Sequence, residues 1–284
     1  MLQPGTLYVV ATPIGNLDDI TLRAIQILKQ VDLIAAEDTR HSRVLLQSLQ
    51  IETPMASHHD FSSDLAIQGI IRDLLQGKSI ALISDAGTPL ISDPGFRLVN
   101  LAREQSIPVI PVPGPSAVTA ALSVAGLPTA RFAFEGFLCN KSAARLSRLQ
   151  ELRLDTRSLI FYESTHRIVS SITDMQTAFG ADRRVFVGRE LTKKFESHFN
   201  GNIADCLRWL CADENQQKGE FVIIIAGCNA EDAQKILLQD AIQLVKQLRE
   251  YMPMKTAVTL ACEFTGAKKN ALYPLVLEQA QETD

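Results

Sequence analysis

Short apolar runs alternate with segments of helical periodicity over the first 115 residues, and this alternation is what most constrains the fold. The predicted strands are Thr6–Ala11, Leu33–Ala36, Ser79–Ser84 and Pro108–Val112. The predicted helices are Thr21–Gln30, with Thr21 as N-cap, His41–Leu49, Asp64–Leu75 and Asp93–Gln105. Strands and helices that alternate in this way are typical of a mostly parallel sheet with helices on its faces. The pattern therefore predicts an α/β fold.

The proline-rich stretch Pro111–Pro115 interrupts this pattern, and a second α/β region follows it. Its predicted strands are Phe132–Phe137, Ser158–Tyr162, Arg184–Gly188 and Phe221–Ala226, and its predicted helices are Ser116–Ala125, Ala143–Leu152, Arg167–Phe179 and Ile203–Cys211. Three further helices, Ala233–Arg249, Thr256–Phe264 and Lys269–Gln279, suggest a tail of the helix-turn-helix kind. We predict lobes at 1–115 and 116–229 and a small helical domain at 230–284.

The numbers of charged residues and cysteines exclude some classes of protein and argue against others. The 284 residues contain 28 Lys and Arg against 32 Asp and Glu, which excludes a uniformly basic protein that coats nucleic acid. Residues 131–199 nevertheless hold 12 basic and 8 acidic residues, either a footprint for an anionic partner or an ordinary solvated face. The five scattered cysteines predict neither a disulfide framework nor a zinc site. Without a membrane-length apolar run or a signal-like N-terminus, the expected location is the cytoplasm.

Three loops rich in Gly, Pro and small polar residues follow predicted strands of the first region: Thr12–Asp19, Asp85–Gly95 and Pro113–Ala117. Parallel sheets bind ligands beyond the carboxyl ends of their strands, so three such loops favour a ligand site, although structural turns use the same residues. The G-x-G-x-x-G and G-x-x-x-x-G-K-[ST] motifs are absent, which argues against NAD and ATP. Asp85 either accepts hydrogen bonds from a ribose or an amine, or caps a turn.

Charged clusters follow other predicted strands at Glu37–His41, Tyr162–Arg167 and Arg189–Lys194. They are either substrate contacts, with Arg forks suited to phosphate, or helix caps and structural ion pairs. His58, His59 and Asp60 lack a further ligand at a clear spacing, so no metal site is predicted. No Ser-His-Asp or Cys-His arrangement can be assigned from spacing, and no carboxylate pair stands out.

Taken together, several of these segments resemble one known family. The segments that carry the resemblance are TPIGN, EDTRH, SDAGTP, PGPSA, FYES-x-HR, GRELTKKFE and KGEFVIII, distributed from about residue 5 to residue 226. They are similar to the bacterial small-subunit ribosomal RNA 2′-O-ribose cytidine methyltransferases, a branch of the tetrapyrrole-methylase (class III) superfamily of S-adenosylmethionine (SAM) enzymes. The C-terminal segment TAVTLACEFTGAKKNALYPLVLE resembles the small helical domain of that family.

The resemblance implies two α/β lobes with SAM in the cleft between them, a homodimer, and a decoding-centre cytidine of small-subunit rRNA, free or in the assembled subunit, as substrate. The implied cofactor-binding residues are Ile14, Gly15, Asp85, Gly87, Thr88, Ser116, Ala117, Phe161, Tyr162 and Gly219. The implied substrate-side residues include Arg40, His41, Arg167 and Arg189. Lys268 and Lys269, on the tail, are expected to add phosphate contacts. Glu163, Glu190, His166 and Lys193 are the candidates for catalysis, with the base unassigned.

This chain departs from the family pattern at two places. The family commonly has Gly where Leu90 stands, and an HEHNE- or HDHNE-like stretch near His58–Ser62. The expected reaction is displacement at the sulfonium methyl by a ribose 2′-hydroxyl, which depends chiefly on alignment of the two reactants. Lys193 would need a depressed pKa to act as base, or it could stabilise the developing oxyanion. The alternatives are a methylase of a tetrapyrrole-like small molecule and a non-catalytic RNA-binding assembly factor.

Overall fold

A computed structural model describes residues 2–59 and 64–281. The chain divides into two compact units, one formed within Met1–Gln150 and Ser158–Ala226, the other within Glu151–Arg157 and Gly227–Asp284. The first unit contains both β-sheets, and the second is helical.

The first sheet is wholly parallel. Its strands are β1 (Leu7–Val10), β2 (Leu33–Ala36), β3 (Met55–Ser57), β4 (Ile80–Ile83) and β5 (Val109–Val112), in the order β3-β2-β4-β1-β5. This order places β4, β1 and β5 side by side, so the loops that leave their carboxyl ends emerge together.

Helices cover both faces of this sheet. They are α1 (Leu22–Gln30), α2 (Thr39–Ser48), α3 (Asp64–Leu75) and α4 (Phe96–Glu104). Successive strand residues point to opposite faces: Tyr8 packs in the cluster that contains α1 and α2, whereas Leu7 packs in the cluster that contains α3 and α4. Burial on both sides explains why the strands read as continuous apolar runs.

The second sheet is mixed. Its strands are β6 (Phe132–Phe137), β7 (Ser158–Ser164), β8 (Arg184–Arg189), β9 (Ser197–Asn202) and β10 (Glu220–Ile225), in the order β6-β7-β10-β8-β9. Only β6 and β7 pair in parallel, and the other three pairings are antiparallel. Its helices are α5 (Ala117–Val124), α6 (Ser142–Leu152), α7 (Ile168–Phe179) and α8 (Ile203–Ala212).

The antiparallel pairings determine which groups meet at one edge of this sheet. Strand β10 runs against both β7 and β8, so its first residue lies beside the last residues of those strands. Glu220 is opposite Ser164, and Phe221 is opposite Arg189. The charged ends of β7 and β8 therefore share an edge with the start of β10.

The helical unit contains α9 (Ala230–Leu248), α10 (Met254–Thr265) and α11 (Lys269–Gln281). Its buried residues form one apolar cluster that includes Val245 and Val258. Gly266 ends α10 in the left-handed conformation that glycine adopts readily, and its N–H bonds to the carbonyl of Cys262.

The predicted α/β class, with two lobes and a helical tail, is confirmed. The first sheet is parallel as predicted, whereas strand β3 was not predicted because Met55–Ser57 is a short, partly exposed edge strand without an apolar run. The compact units keep both sheets together, so the lobe boundary at 115/116 stays a prediction, as does that at 229/230. Within residues 2–59 and 64–281, no helix is both long and apolar enough to cross a membrane.

Candidate functional site

A cavity of about 320 Å³ lies where the loops of the two sheets meet within the first unit. From the first sheet it is lined by the loops that follow β1, β4 and β5. From the second sheet it is lined by the ends of β6, β7 and β8 and by the start of β10. A volume of this size is in the range of small-molecule binding sites.

Backbone hydrogen bonds join the first-sheet loops to one another. Thr12 and Gly87 exchange both backbone hydrogen bonds, at 2.9 and 3.0 Å, and form an isolated bridge between the loops after β1 and β4. The Thr88 hydroxyl donates to the carbonyl of Pro115 at 3.0 Å, which ties the loop after β4 to the loop after β5. The first-sheet wall of the cavity is therefore fixed by hydrogen bonds between its three loops.

Main-chain conformation is unusual along the loop after β4. Gly87 has φ +79°, and a Cβ placed on it would lie 3.3 Å from Cγ2 of Ile14. Leu90 and Ser92 also have positive φ, at 72° and 65°. Non-glycine residues adopt this region at a cost of about 1 kcal/mol or more, and such strain concentrates at ligand sites.

On the second-sheet side, Glu163 is a buried carboxylate with a full set of protein partners. Its side chain is inaccessible to solvent and pairs with Arg167 at 2.7 Å. Its oxygens also accept hydrogen bonds from Ser171 Oγ, at 2.5 Å, and from the N–H of Ser164, at 2.8 Å. These bonds compensate the burial of the charge and hold the end of β7 against α7.

A second charged cluster joins Glu190, Lys193 and Glu220. The Lys193 ammonium donates to Glu190 Oε1 at 3.0 Å and to Glu220 Oε2 at 2.9 Å. Burial pushes the pKa of Lys193 downward, but the bonds to Glu220 and Glu190 outweigh it, so this pKa is raised. Burial likewise acts to raise the pKa of Glu190, yet the N–H of Glu220 and the ammonium of Lys193 lower it. Lys193 therefore stays protonated, and Glu190 ionised, at neutral pH.

Lys193 lies beside the first-sheet loops. A Cβ on Gly15 would lie only 2.3 Å from Cγ of Lys193 and 3.1 Å from Oγ1 of Thr192. The hydroxyl of Thr192 is buried and has no hydrogen-bond partner among the described residues. Glu190 and Thr192 have positive φ, at 52° and 66°, so the backbone of this loop is strained like that of the loop after β4.

Aromatic rings form another part of the lining. Tyr162 contacts Phe134 and Phe137 edge to face, with ring centroids 4.9 and 5.5 Å apart. Burial, followed by the negative charge of Asp93, raises the pKa of Tyr162 to about 12. The Tyr162 phenol is consequently neutral in the physiological range.

The structure brings many of the predicted site residues to this cavity. Those that line it are Ile14, Gly87, Thr88, Ser116, Ala117, Tyr162, Glu163 and Lys193. Gly15 and Glu190 lie next to Lys193. Gly219 adjoins them, because a Cβ on it would come within 2.6 Å of the Glu190 carboxyl group.

Other predicted residues lie away from the cavity lining. Phe161 is fully buried within the second sheet. Asp85 accepts a hydrogen bond from the N–H of Asp38 at 3.1 Å, a contact between the loops after β4 and β2. His166 and His41 are exposed, and exposed Arg40 pairs with Asp38 at 2.8 Å.

The predicted RNA-binding arginines of the second sheet contact protein groups. Arg167 bonds to Glu163, to the Ser164 hydroxyl and to the carbonyl of Leu138. Arg189 donates to the carbonyls of Lys218 and Phe195, at 2.6 and 2.8 Å. These contacts match the ion-pair and structural alternative considered from the sequence.

Two further groups of predicted residues lie elsewhere. Lys268 and Lys269 belong to the helical unit, where the Lys269 ammonium bonds to the Thr259 hydroxyl at 3.0 Å. His58 is buried and His59 exposed, and Asp60 lies outside the described residues. Among residues 2–59 and 64–281, no group of three or more His, Cys, Asp and Glu side chains is placed to hold a metal ion.

Several lining residues were not singled out from the sequence. They are Ala86, Ile91, Ser92, Asp93, Phe137, Ser164, Gly188, Leu191, Glu220, Phe221 and Val222. Asp93 belongs to the loop Asp85–Gly95, which the sequence predicted to contribute to a ligand site, so the loop was the usable signal. Glu220 lines the cavity because β10 runs antiparallel to its neighbours, and no local motif records that direction.

The cavity lining does not suit a polyphosphate. Among the described residues that line it, Lys193 carries the one basic side chain, and its ammonium is already bonded to Glu190 and Glu220. Small residues such as Gly87, Ala117 and Gly188 let the backbone approach a ligand closely. A sulfonium donor with a nucleoside part satisfies both conditions.

Comparison with known families matches both parts of the chain. Residues 6–206 match the family model for Tetrapyrrole (Corrin/Porphyrin) Methylases. Residues 236–280 match the model for the RsmI C-terminal HTH domain.

Curated relatives match over almost the full length. A protein of Xylella fastidiosa (strain Temecula1), named Ribosomal RNA small subunit methyltransferase I, is 52% identical over 96% of this chain and 99% of its own length. A Pseudomonas aeruginosa protein of the same name is 49% identical over 98% of this chain and 99% of its own.

Solved structures show the same fold at low identity. Uroporphyrin-III-C-methyltransferase from Thermus thermophilus aligns with a TM-score of 0.56 at 17% identity, covering 78% of this chain and 94% of that one. The cobalt precorrin-4 methyltransferase CbiF aligns with a TM-score of 0.59 at 16% identity, covering 78% and 95%.

Proposed function

The chain belongs to the tetrapyrrole methylase family and uses S-adenosylmethionine as its methyl donor, and we propose that it methylates the ribose 2′-oxygen of a cytidine in small-subunit rRNA, near the decoding centre. The observation that carries the proposal is the full-length similarity to proteins named as small-subunit rRNA methyltransferases. The cavity adds support, because the Lys193 ammonium, which stays protonated at neutral pH, lies beside loops suited to a sulfonium ligand.

In this proposal the first-sheet loops bind the donor. Gly87 and Thr88 form one wall, Ser116 and Ala117 another, and Ile14 packs between them. Gly15, Asp85, Phe161 and Gly219 act behind this surface, by holding the loops and strands in place. Tyr162 closes the cavity from the second sheet as a neutral aromatic side chain.

The donor arrives already activated, because a methyl group on a sulfonium sulfur is a good electrophile. The protein must align the acceptor hydroxyl and accommodate its charge as the proton leaves. Lys193 is suited to that second task, since its raised pKa keeps it a hydrogen-bond donor. We assign it the role of holding the acceptor oxygen.

The same raised pKa argues against Lys193 as the base. Glu163 is enclosed by Arg167 and Ser171, and His166 lies outside the cavity lining. Glu190, whose lowered pKa keeps its carboxylate ionised, and Glu220 both bond to the Lys193 ammonium, and we assign proton acceptance to this pair.

Contacts to the RNA are assigned to exposed basic side chains outside the cavity. Arg40, His41, Lys268 and Lys269 remain candidates for phosphate contacts. Arg167 and Arg189, whose guanidinium groups bond to protein groups, are assigned structural roles. Binding should then weaken as salt increases. A homodimer that acts in the cytoplasm, on free rRNA or the assembled small subunit, completes the proposal.

The proposed function is tested by mass spectrometry of nucleosides from small-subunit rRNA. Cells that lack this chain should lose one 2′-O-methylcytidine, and the wild-type gene should restore it. A complete set of ribose methyl groups in the deletion strain would contradict the proposal. If rRNA is unchanged and a tetrapyrrole lacks a methyl group instead, the small-molecule alternative is correct.

A further inference from the structure

The loop after β8 carries an aromatic ring that the proposed reaction does not yet use. Phe195 lies two residues beyond the cavity residue Lys193, and 66% of its surface is exposed. A single exposed apolar side chain is common on protein surfaces and has no meaning by itself. The surroundings of this ring are what give it significance.

Hydrogen bonds fix the backbone of the loop that carries the ring. Arg189 donates a hydrogen bond to the Phe195 carbonyl at 2.8 Å. The N–H of Thr192 bonds to Glu196 Oε2 at 2.5 Å, and the N–H of Glu196 bonds to the Lys193 carbonyl at 3.1 Å. These bonds fix the backbone on both sides of Phe195, so little loop entropy would be lost when a ligand binds to the ring.

The charge near the ring favours an anionic partner with flat apolar groups. The Lys194 ammonium lies 5.5 Å from the centroid of the Phe195 ring. Residues 189–197 contain three cations and two carboxylates. Both carboxylates bond within the protein, Glu196 to Thr192 and His198 and Glu190 to Lys193. Arg189 and Lys193 are bonded within the protein as well, so Lys194 is the cation of this segment that stands beside the ring. An aromatic face beside an ammonium group is the arrangement that binds a nucleobase together with its phosphate.

We propose that Phe195 is a stacking platform for an unpaired nucleobase of the RNA substrate, next to the nucleotide whose ribose enters the cavity, and that Lys194 contacts the adjoining phosphate. This inference rests on the proposed function and adds a substrate-positioning residue to it. Because Lys193 and Phe195 share one rigid loop, a base stacked on the ring would position the acceptor ribose relative to the Lys193 ammonium.

The test compares Phe195→Ala with Phe195→Tyr, which keeps a stacking ring. Phe132→Ala is the matched control, because Phe132 is also an exposed phenylalanine. It is the first residue of β6, whereas the cavity residue Phe137 is the last. The substrate is small ribosomal subunits from cells that lack this chain, and transfer of labelled methyl groups is measured. SAM affinity is measured separately by calorimetry.

Phe195→Ala should raise the KM for the subunits about tenfold, the scale of one lost base–aromatic stack, while SAM affinity stays within about twofold. Phe195→Tyr and Phe132→Ala should behave like the wild type. An unchanged KM in Phe195→Ala would overturn the inference. So would a change of oligomeric state by light scattering, which would place the ring in an interface between copies of the chain. If the wild type itself transfers no methyl group to the subunits, the proposed function fails first.

Discussion

The two sheets contribute to the cavity by different means. The first sheet presents main-chain groups and small side chains, and its loops are tied together by the Thr12–Gly87 bridge and the Thr88–Pro115 bond. The second sheet presents charged and aromatic side chains, above all the cluster of Glu190, Lys193 and Glu220. The difference suggests a division of work, in which the first sheet shapes the donor site and the second performs the chemistry.

Lys193→Met should produce the largest effect, and it should appear in turnover. Loss of the ammonium group that holds the acceptor oxygen should lower kcat about 10²- to 10³-fold, as for other single donors to a developing oxyanion. SAM affinity, measured by calorimetry, should change no more than about threefold. Lys78→Met is the control, because Lys78 pairs with Asp73 just before β4, at the end of that strand opposite the cavity loops. If Lys193→Met lowered turnover and SAM affinity equally, the second sheet would also bind the donor, which contradicts the proposed division of work.

Arg167→Ala should act on stability. It would leave the buried carboxylate of Glu163 without its ion-pair partner, a change that costs about 3 kcal/mol or more in comparable buried pairs. Urea unfolding followed by the fluorescence of Trp209, the single tryptophan and a residue of the first unit, measures this loss. Arg208→Ala removes an exposed pair with Asp205 and should cost about 1 kcal/mol at most. If Arg167→Ala left stability unchanged and weakened RNA binding, Arg167 would be an RNA-binding residue and not a structural one.

Gly87→Ala should weaken SAM binding about tenfold, because its Cβ would press against Ile14 in the cavity wall. Gly77→Ala is a closely matched control: Gly77 also has a positive φ, +91°, but nothing lies within 4 Å of its Cβ position. Both variants should lose about 1 kcal/mol of stability from backbone strain. SAM affinity is measured by calorimetry. Equal affinities of Gly87→Ala and Gly77→Ala would show that the main chain at Gly87 does not shape the donor site.

The smallest expected effect concerns the pH dependence of stability. Since the pKa of Glu190 is lowered from 4.5, its carboxylate stabilises the folded state above that value, and the contribution disappears as pH falls through the lower folded pKa. The difference in unfolding free energy between wild type and Glu190→Gln should therefore be constant from pH 7 to pH 5 and vanish toward pH 3. A size of about 1 kcal/mol or less is expected for a partly exposed pair. A difference that grows on acidification would contradict the pairing with Lys193.

Local sequence patterns predicted the helices and most strands well. Leu33–Ala36, Asp64–Leu75 and Phe132–Phe137 have the predicted bounds, because apolar periodicity and strong turn residues limit each of them. Thr21 caps α1 as predicted, with its hydroxyl accepting the N–H of Ala24. These patterns could not predict strand direction in the second sheet, because an apolar run is the same in a parallel and in an antiparallel strand.

The sequence likewise predicted the first-sheet part of the site better than the second-sheet part. Turn chemistry pointed directly to the first-sheet loops, because Gly and Pro mark them in the sequence. On the second sheet, spacing alone could not distinguish Arg167, which is bound by Glu163, from a free phosphate-binding arginine. The exposure of Phe195 depends on tertiary contacts that no short motif encodes, although its charged neighbour, Lys194, is adjacent to it in the sequence.

A crystal structure with S-adenosylmethionine bound tests the division of work most directly. The account predicts the donor in the 320 Å³ cavity, held by the backbone near Gly87 and Ser116, with its methyl group directed toward the Lys193 ammonium. A donor bound outside this cavity, or bound within it with the methyl group turned away from Lys193, would contradict the account.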